Sequence, residues 1–529
     1  MLDLSRLSEA IRHEGGVSRR LFLAYSASLS ALPLLGQQVA GKTHKPKLSV
    51  SPFQLGIASG DPTPDGIVLW TRLAPHPLQP DGGMAPHNVE VCWEIADDDA
   101  MRRVVRRGTA TATPDLAHSV HAEVDGLAPN RWYWYRFRVG DAESPIGRTR
   151  TMPALDSSPD QLKFAFASCQ NFETGWYTAY KHMAKDELDL VFHLGDYIYE
   201  HAAKDGEVRK HTGTKSCESL TDYRLRHSQY KTDPLLQAMH RRCPWMVTWD
   251  DHEVSNDYAG GHPDSKKPDL EKFMVRRAGA YQAYYENMPL RKSSLPHGDA
   301  MQIYRSLAFG KLANFLVLDG RQYRTPQPNE NEAGNINKAC SAPNNTMLGE
   351  EQHAWLENSL THSSANWNVL AQQVLMTFLD SKKGDERRYN MDHWCGYVAE
   401  RNKITTLMHE RKVSNPIVLT GDCHANVVSD LRTDGLRDET PIATTEFAGT
   451  SISSSGNGER AHEHEKQFKS ENPNLRFFNS ERGFVRCTVT PKLWTAEYLT
   501  VPFVDKPGAP LNTRATFVVE SGEAGVKRA

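Results

Sequence analysis

The chain has 529 residues, with 62 Lys and Arg against 65 Asp and Glu for a formal charge of −3, a balance that excludes a strongly basic nucleic-acid-coating protein. An apolar content of 39% with 36 Gly and 30 Pro excludes collagen-like and low-complexity classes, and at ~150 residues per domain the length suits a folded chain of about two to four domains. The eight cysteines contain no CxxC pair, so a zinc ribbon or thioredoxin-like motif is excluded, while their scatter allows about 105 full disulfide pairings.

Near the amino terminus, Leu21 to Ala40 is the one long, weakly charged stretch, and it directly follows Val17-Ser18-Arg19-Arg20. Pro33 and Gly36 interrupt it, leaving an apolar part too short for a ~20-residue spanning helix. No stable membrane span is expected, and residues 1–40 read as a signal peptide. The string Ser18-Arg19-Arg20-Leu21-Phe22-Leu23 resembles the twin-arginine export signal, an address read by the twin-arginine export machinery. The expected location of the mature protein is therefore periplasmic or extracellular.

Residues 48–152 read as short strands between turns. Gly66 to Arg72, Val89 to Ile95 and the aromatic run Trp132 to Val139 are strands, punctuated by Asp65-Gly66, Asp81-Gly82-Gly83 and Asp125-Gly126. This predicts a small β-sandwich, with a loop before the Tyr-rich strand that looks like the one in fibronectin-type modules. From residue 161 the texture changes to apolar strands alternating with helical stretches, which predicts an α/β layered domain over 161–505, followed by a tail at 506–529. Four strands are expected at Leu162–Ala167, Leu188–Leu194, Met246–Trp249 and Ile417–Thr420, and helices at 177–185, 272–286 and 349–360. The Pro- and Asn-rich run from Thr325 to Met347 is a long loop.

Each of the four strands ends in ligand-type residues: Ser168-Cys169-Gln170, Gly195-Asp196-Tyr197-Ile198-Tyr199, Asp250-Asp251-His252-Glu253 and Gly421-Asp422-Cys423-His424. The carboxyl ends of strands in open α/β sheets are where sites assemble. Together the clusters supply thiolate, carboxylate, phenol and imidazole, more costly polar groups than helix capping explains. A pair of metal ions would stabilise such a collection. Tyr197 reads as packing, Cys423 would point away from the site if its segment is extended, and Asp250, Glu253 and Asp257 read as flanking groups.

The strings Phe166 to Gln170, His193 to Glu200, Thr248 to Asp257 and Leu419 to Asn426, supported by Leu318 to Arg321, Ala371 to Gln373 and Glu446 to Ser454, resemble the alkaline phosphatase D (PhoD-like) family of metallophosphoesterases. The resemblance covers nearly the whole chain after the signal. It implies a metallophosphoesterase-like catalytic domain preceded by the family's β-rich domain. It further implies Fe(3+) held by Cys169, Asp196, Tyr199 and His424, with Asp196 bridging to Ca(2+) held also by Asp251, Asn256 and Asp422. The donor types agree, since thiolate and phenolate favour a trivalent or softer ion whereas carboxylate and amide oxygens suit a hard divalent cation. One departure is Cys395, where relatives usually carry Asp.

The implied activity is that of an exported phosphate-ester hydrolase in which a metal-bound hydroxide attacks phosphorus. His252 is the expected catalytic residue, contacting phosphate or protonating the leaving oxygen. The partner is a phosphate-ester substrate, with no nucleic acid bound beyond a possible substrate. Two alternatives stay open: a phospholipase D-like phosphodiesterase, and a catalytically dead secreted binding protein, against which the intact set of ligand residues argues.

Overall fold

Leu162–Ala167, Leu190–Leu194 and Trp245–Thr248 are short and almost wholly buried apolar runs in the computed structural model. Such runs suit strands covered on both faces. They pair in parallel, with Leu190 opposite Phe164 and Val191 opposite Trp245. The structure describes residues 49–458 and 462–529; the expected signal peptide lies outside the described residues. Within them, these three strands form the middle of a ten-stranded sheet, beside a seven-stranded and a five-stranded sheet.

The seven-stranded sheet runs in spatial order Arg305–Phe309, Ala313–Val317, Trp367–Gln372, Pro416–Thr420, Ile442–Ala448, Asn426–Arg432 and Leu475–Asn479. It faces the ten-stranded sheet across an aromatic interlayer. Phe315 packs edge-on against Phe164 at 5.3 Å and lies 4.7 Å from Phe192, while Trp367 and Trp494 meet at 5.7 Å. Each such ring, fully buried, contributes about 2–3 kcal/mol by removal from water.

Helices close both outer faces. Leu220–Lys231 begins with a Ser219/Asp222 capping box, and Pro234–His240 and Leu270–Asn287 begin on Asp233 and Asp269, whose carboxylates accept backbone N–H groups of the first turn. Their apolar sides pack Tyr223, Leu236 and Tyr281 with Val191 and Val247 of the large sheet. Gly349–Thr361 and Val398–Glu410 place Leu356, Leu360, Ile404 and Met408 against Leu370 and Val418 of the other. The catalytic region is thus two facing sheets between helical layers.

The large sheet crosses two of the boundaries expected from sequence. Val89–Ala96, Val104–Ala112, Trp132–Val139, Ala142–Glu143 and Gly147–Arg150 form the five-stranded sheet, whose Val91, Ile95, Tyr135 and Phe137 pack against Ile67, Leu69, Val120 and Ala122. The strands carrying those partners, Ile67–Arg72 and Ser119–Val124, join Ile57–Gly60 and extend the ten-stranded sheet by a parallel contact of Gly60 with Trp245. A Cβ at Gly60 would stand 2.5 Å from the Pro289 carbonyl oxygen and 2.7 Å from that of Trp245, so the junction requires glycine. At the opposite edge, Asn512–Glu520, expected as tail, pairs antiparallel with Leu493–Val501 and buries Ala515, Phe517 and Val519. An unpaired strand edge at either place would leave backbone groups without partners, which is why the sheet continues.

The helices at 178–183, 270–287 and 349–361 match the periodicity read from sequence. Among the described residues no helix is long and apolar enough to cross a membrane. All eight cysteines are free thiols.

Candidate metal centre

Three of the candidate ligands sit at one repeated backbone position. Cys169, Asp196 and Asp422 each lie two residues beyond a strand end, and each has a left-handed φ, of 56°, 56° and 57°; His424 follows at 48°. Non-glycine residues avoid this region at a cost of roughly 1–2 kcal/mol each. Four such residues beyond three strand ends, two in the ten-stranded sheet and one in the seven-stranded sheet, represent strain stored where side chains must converge. The local reason is crowding. The Cys169 N–H donates to the Gly195 carbonyl and the Gln170 N–H to that of Asp196, so the two turns are bonded together.

The glycines preceding two of these aspartates are required by close approach. A Cβ on Gly195 would stand 2.4 Å from Asp250 Cβ, and its φ is 109°. One on Gly421 would stand 2.9 Å from Ser168 Cβ and 3.1 Å from the Leu194 carbonyl oxygen. Gly421 is where the end of the seven-stranded sheet meets that of the ten-stranded sheet, so Asp422 and His424 reach ligands carried by the other layer.

Three sets of donors converge, each with ligand atoms within 4.8 Å of one another: Cys169, Asp196 and His424; Asp196, Asp250, Asp251 and Asp422; and Asp196, Asp251 and His252. Asp196 belongs to all three. Its Oδ2 accepts from the Tyr199 hydroxyl at 2.7 Å, and that phenol oxygen lies 3.1 Å from His424 Nε2. Its buried Oδ1 has no hydrogen-bond partner. A fully buried carboxylate oxygen facing other acidic groups without a donor is costly unless a cation completes it. The residues therefore fit metal ions, and the shared position of Asp196 fits a bridge.

The electrostatics agree. Burial, followed by the neighbouring Asp251, Asp250 and Glu253, pushes the Asp196 carboxyl far above the usual carboxylate range despite His252. Burial and the Asp196 charge likewise raise the Cys169 thiol and the Tyr199 phenol. Burial holds His424 down at about 4, leaving its imidazole neutral and able to donate a lone pair. Burial opposes ionisation of Asp251 too, but His252 and Arg321 outweigh it and lower its pKa. The same pairings raise His252 strongly: burial works against its charge, and Asp251, Glu200 and Asp196 overcome it.

Second contacts fix the orientation of these groups. His252 Nδ1 is 2.7 Å from Glu200 Oε2, and Glu200 Oε1 accepts the Asn256 N–H at 2.9 Å. His424 Nδ1 is 2.8 Å from the Ser455 hydroxyl. Ser454 Oγ lies 2.7 Å from both the Tyr199 phenol oxygen and the Cys169 carbonyl. His393 Nε2 lies 3.0 Å from Asp422 Oδ2. Glu253 accepts the backbone N–H groups of Asp196, Tyr197 and Asp250 and so holds two strand ends together.

Six of the seven candidate ligands, Cys169, Asp196, Tyr199, Asp251, Asp422 and His424, are buried or half-buried around this point, whereas Asn256 is exposed and joins it through its backbone. Tyr197 is core packing, its hydroxyl 2.7 Å from His240 Nε2. Cys423 turns away and donates to the Ala425 carbonyl, but by a left-handed turn at both neighbours rather than an extended segment. Cys395 is buried and its thiol donates to the Asn390 carbonyl.

Sequence reading missed Asp250 as a member of the cluster, and with it Arg321 and Asp392. Arg321, wholly buried, donates through Nε to Asp250 and through both Nη atoms to Asp392 at 2.7 Å; Arg324 adds a third bond to Asp392 at 2.7 Å. The available signal was an Arg three residues beyond the buried apolar run Phe315-Leu316-Val317-Leu318, since a buried Arg at such a strand end must find carboxylates.

Comparisons with known proteins identify the family. A family model described as PhoD-like phosphatase matches residues 164–498, and one for the PhoD-like phosphatase N-terminal domain matches residues 38–153. The chain is 48% identical to alkaline phosphatase D of Bacillus subtilis (strain 168), over 99% of this chain and 91% of that protein. It is also similar to a solved structure of PhoD, with a TM-score of 0.88 and 50% identity over 91% of this chain and 93% of that one.

Proposed function

The chain belongs to the PhoD-like phosphatase family and is a phosphoric ester hydrolase, and from that premise we propose that Cys169, Asp196, Tyr199 and His424 hold Fe(3+), and that Asp196, Asp251, Asn256 and Asp422 hold Ca(2+). The unpartnered Oδ1 of Asp196, a residue common to three converging donor sets, is the observation that carries this reading. The donor chemistry supports the division, one set containing thiol, phenol and imidazole and the other carboxylates. When bound, such cations neutralise phosphoryl charge and make water nucleophilic near neutral pH.

The chain's own residues do the rest. Glu200 fixes the tautomer and orientation of His252 through Nδ1, which leaves Nε2 to hold the proton that the departing ester oxygen takes up. Arg321 holds Asp250 against Asp392, so the acidic wall behind Asp251 keeps its place without approaching closer. Ser455 and Ser454 orient His424 and Tyr199. The N-terminal β-rich segment is a fibronectin-like sandwich, one layer of which continues the ten-stranded sheet. The protein is exported through the twin-arginine machinery to the periplasm or beyond.

Elemental analysis of purified protein, combined with hydrolysis of p-nitrophenyl phosphate and bis-p-nitrophenyl phosphate, tests the proposal and gives the monoester or diester preference. Asp196→Ala is expected to lose both metals and at least ~10³-fold in kcat/KM, about 4 kcal/mol of transition-state stabilisation. A variant that keeps full activity and its iron refutes the assignment.

A further inference from the structure

A fourth donor set lies beside the centre, omits Asp196 and overlaps the other three only at His252. Glu200, His201 and His252 present ligand atoms within 4.8 Å of one another. His252 Nδ1 is 2.7 Å from Glu200 Oε2, and His201 Nδ1 is 3.8 Å from Glu200 Oε1. The two imidazoles meet edge-on with centroids 5.0 Å apart. We propose that Glu200, His201 and His252 form a regulatory Zn(2+) site whose occupation slows the hydrolase.

The donor set selects the ion. Two imidazoles and one carboxylate are the three-protein-ligand set of tetrahedral zinc sites that keep a water in the fourth position. Calcium takes oxygen ligands and is disfavoured by two nitrogens. The backbone is already pinned: the His201 carbonyl accepts from Arg226 at 2.8 Å and the Glu200 carbonyl from the Cys217 N–H at 2.8 Å. Glu200 is 3% exposed at its side chain whereas His201 is 37% exposed, so His201 is the entrance for an ion from solvent.

Binding requires only proton release. His252 surrenders the Nδ1 proton it shares with Glu200, the proton leaves to solvent, and Nδ1 and the carboxylate turn to the metal. His252 then has its Nδ1 tied to the ion and has lost the Glu200 contact that orients it toward the ester oxygen. The inhibitory consequence rests on the role proposed above for His252; the binding site itself does not.

The experiment is a Zn(2+) titration of the metal-loaded protein against a competing zinc indicator, with steady-state kinetics in parallel, on the wild type, His201→Gln and His201→Ala. Wild type is expected to bind one equivalent beyond its constitutive metals, with a zinc-edge anomalous diffraction peak between the three residues, and to lose ~10-fold or more in kcat. Each His201 variant should keep its zinc-free activity and bind that equivalent at least ~100-fold more weakly, since even outer-shell changes cost 10–100-fold. Unchanged zinc affinity and inhibition in both variants overturns the proposal and locates inhibition at the main centre. If the phosphatase reading alone fails, the extra equivalent still binds, is still lost with His201, and no ester hydrolysis occurs in any sample.

Discussion

The two facing sheets supply the centre in different ways. The ten-stranded sheet brings Cys169, Asp196 and Asp251 together by parallel pairing of three neighbouring strands, where His193 lies opposite Ala167 and Leu194 opposite Thr248, so the turns that follow are level by construction. The seven-stranded sheet contributes Asp422 and His424 from a single strand end, seated by the close approach at Gly421, and braces the first sheet through a buried arginine. One layer places ligands by register, and the other by side-chain contacts from distant loops. Register is robust to single substitutions; a brace is not.

The brace gives the largest expected effect. Arg321→Met leaves Asp250 and Asp392 buried without their shared partner. Breaking a buried ion network by removing one member costs about 3–5 kcal/mol, read as a lower urea midpoint. A midpoint equal to wild type would mean the two layers are held without it.

The difference between the layers also explains what the sequence made legible. The Gly-Asp pairs at 195–196 and 421–422 follow apolar runs, so both the strands and the functional turns could be read from local pattern. Arg321 and Asp392 stand 71 residues apart, and nothing local pairs them. Asp250 read as a flanking acid because its role is set by that same arginine. The continuation of the large sheet into the N-terminal segment rests on the single parallel pair Gly60 and Trp245, too small a feature for periodicity to reveal. The side-chain exposure of Asn256 is decided by a turn whose backbone Glu200 holds.

The N-terminal strands bring a pH-dependent element to that junction. His121 stacks on Tyr285 at 4.2 Å, with Nε2 2.9 Å from the Tyr285 carbonyl and 3.0 Å from that of Met288. Burial lowers its pKa from 6.5 to about 4 despite those carbonyls. The unfolded chain therefore takes up a proton near pH 6.5 that the folded chain refuses until about 4. Stability contributed by the neutral ring is full above 6.5 and falls as the pH drops through this window, by ~3 kcal/mol in all. Urea midpoints between pH 7 and 4 should include that loss, and His121→Gln should make the fall less steep, while other buried histidines such as His193 keep the remainder. An equally steep loss in the variant would assign the acid sensitivity elsewhere.

A substitution at the seam separates the two donor sets. Asp422→Asn removes one carboxylate from the group formed with Asp196, Asp250 and Asp251 and leaves Cys169, Asp196 and His424 intact. The expected result is loss of the divalent cation with the iron retained, and a ~10²-fold fall in kcat/KM, about 2.7 kcal/mol. Joint loss of both metals would show that the sheets do not fill their sites separately.

The smallest effect concerns how the seven-stranded layer orients its imidazole. Ser455 is exposed, has a φ of 65°, and its hydroxyl lies 2.8 Å from His424 Nδ1. Ser455→Ala keeps the left-handed strain and removes the hydroxyl, so kcat/KM should fall about 3–5-fold, close to the ~1 kcal/mol of a single hydrogen bond. Ser455→Gly removes the same hydroxyl but relaxes the backbone, since glycine adopts positive φ freely. If orientation of His424 is the cause, both variants lose the same activity and only the glycine form gains stability in urea. Recovery of wild-type kcat/KM in the glycine form would instead make backbone strain at 455 the factor that sets the ligand.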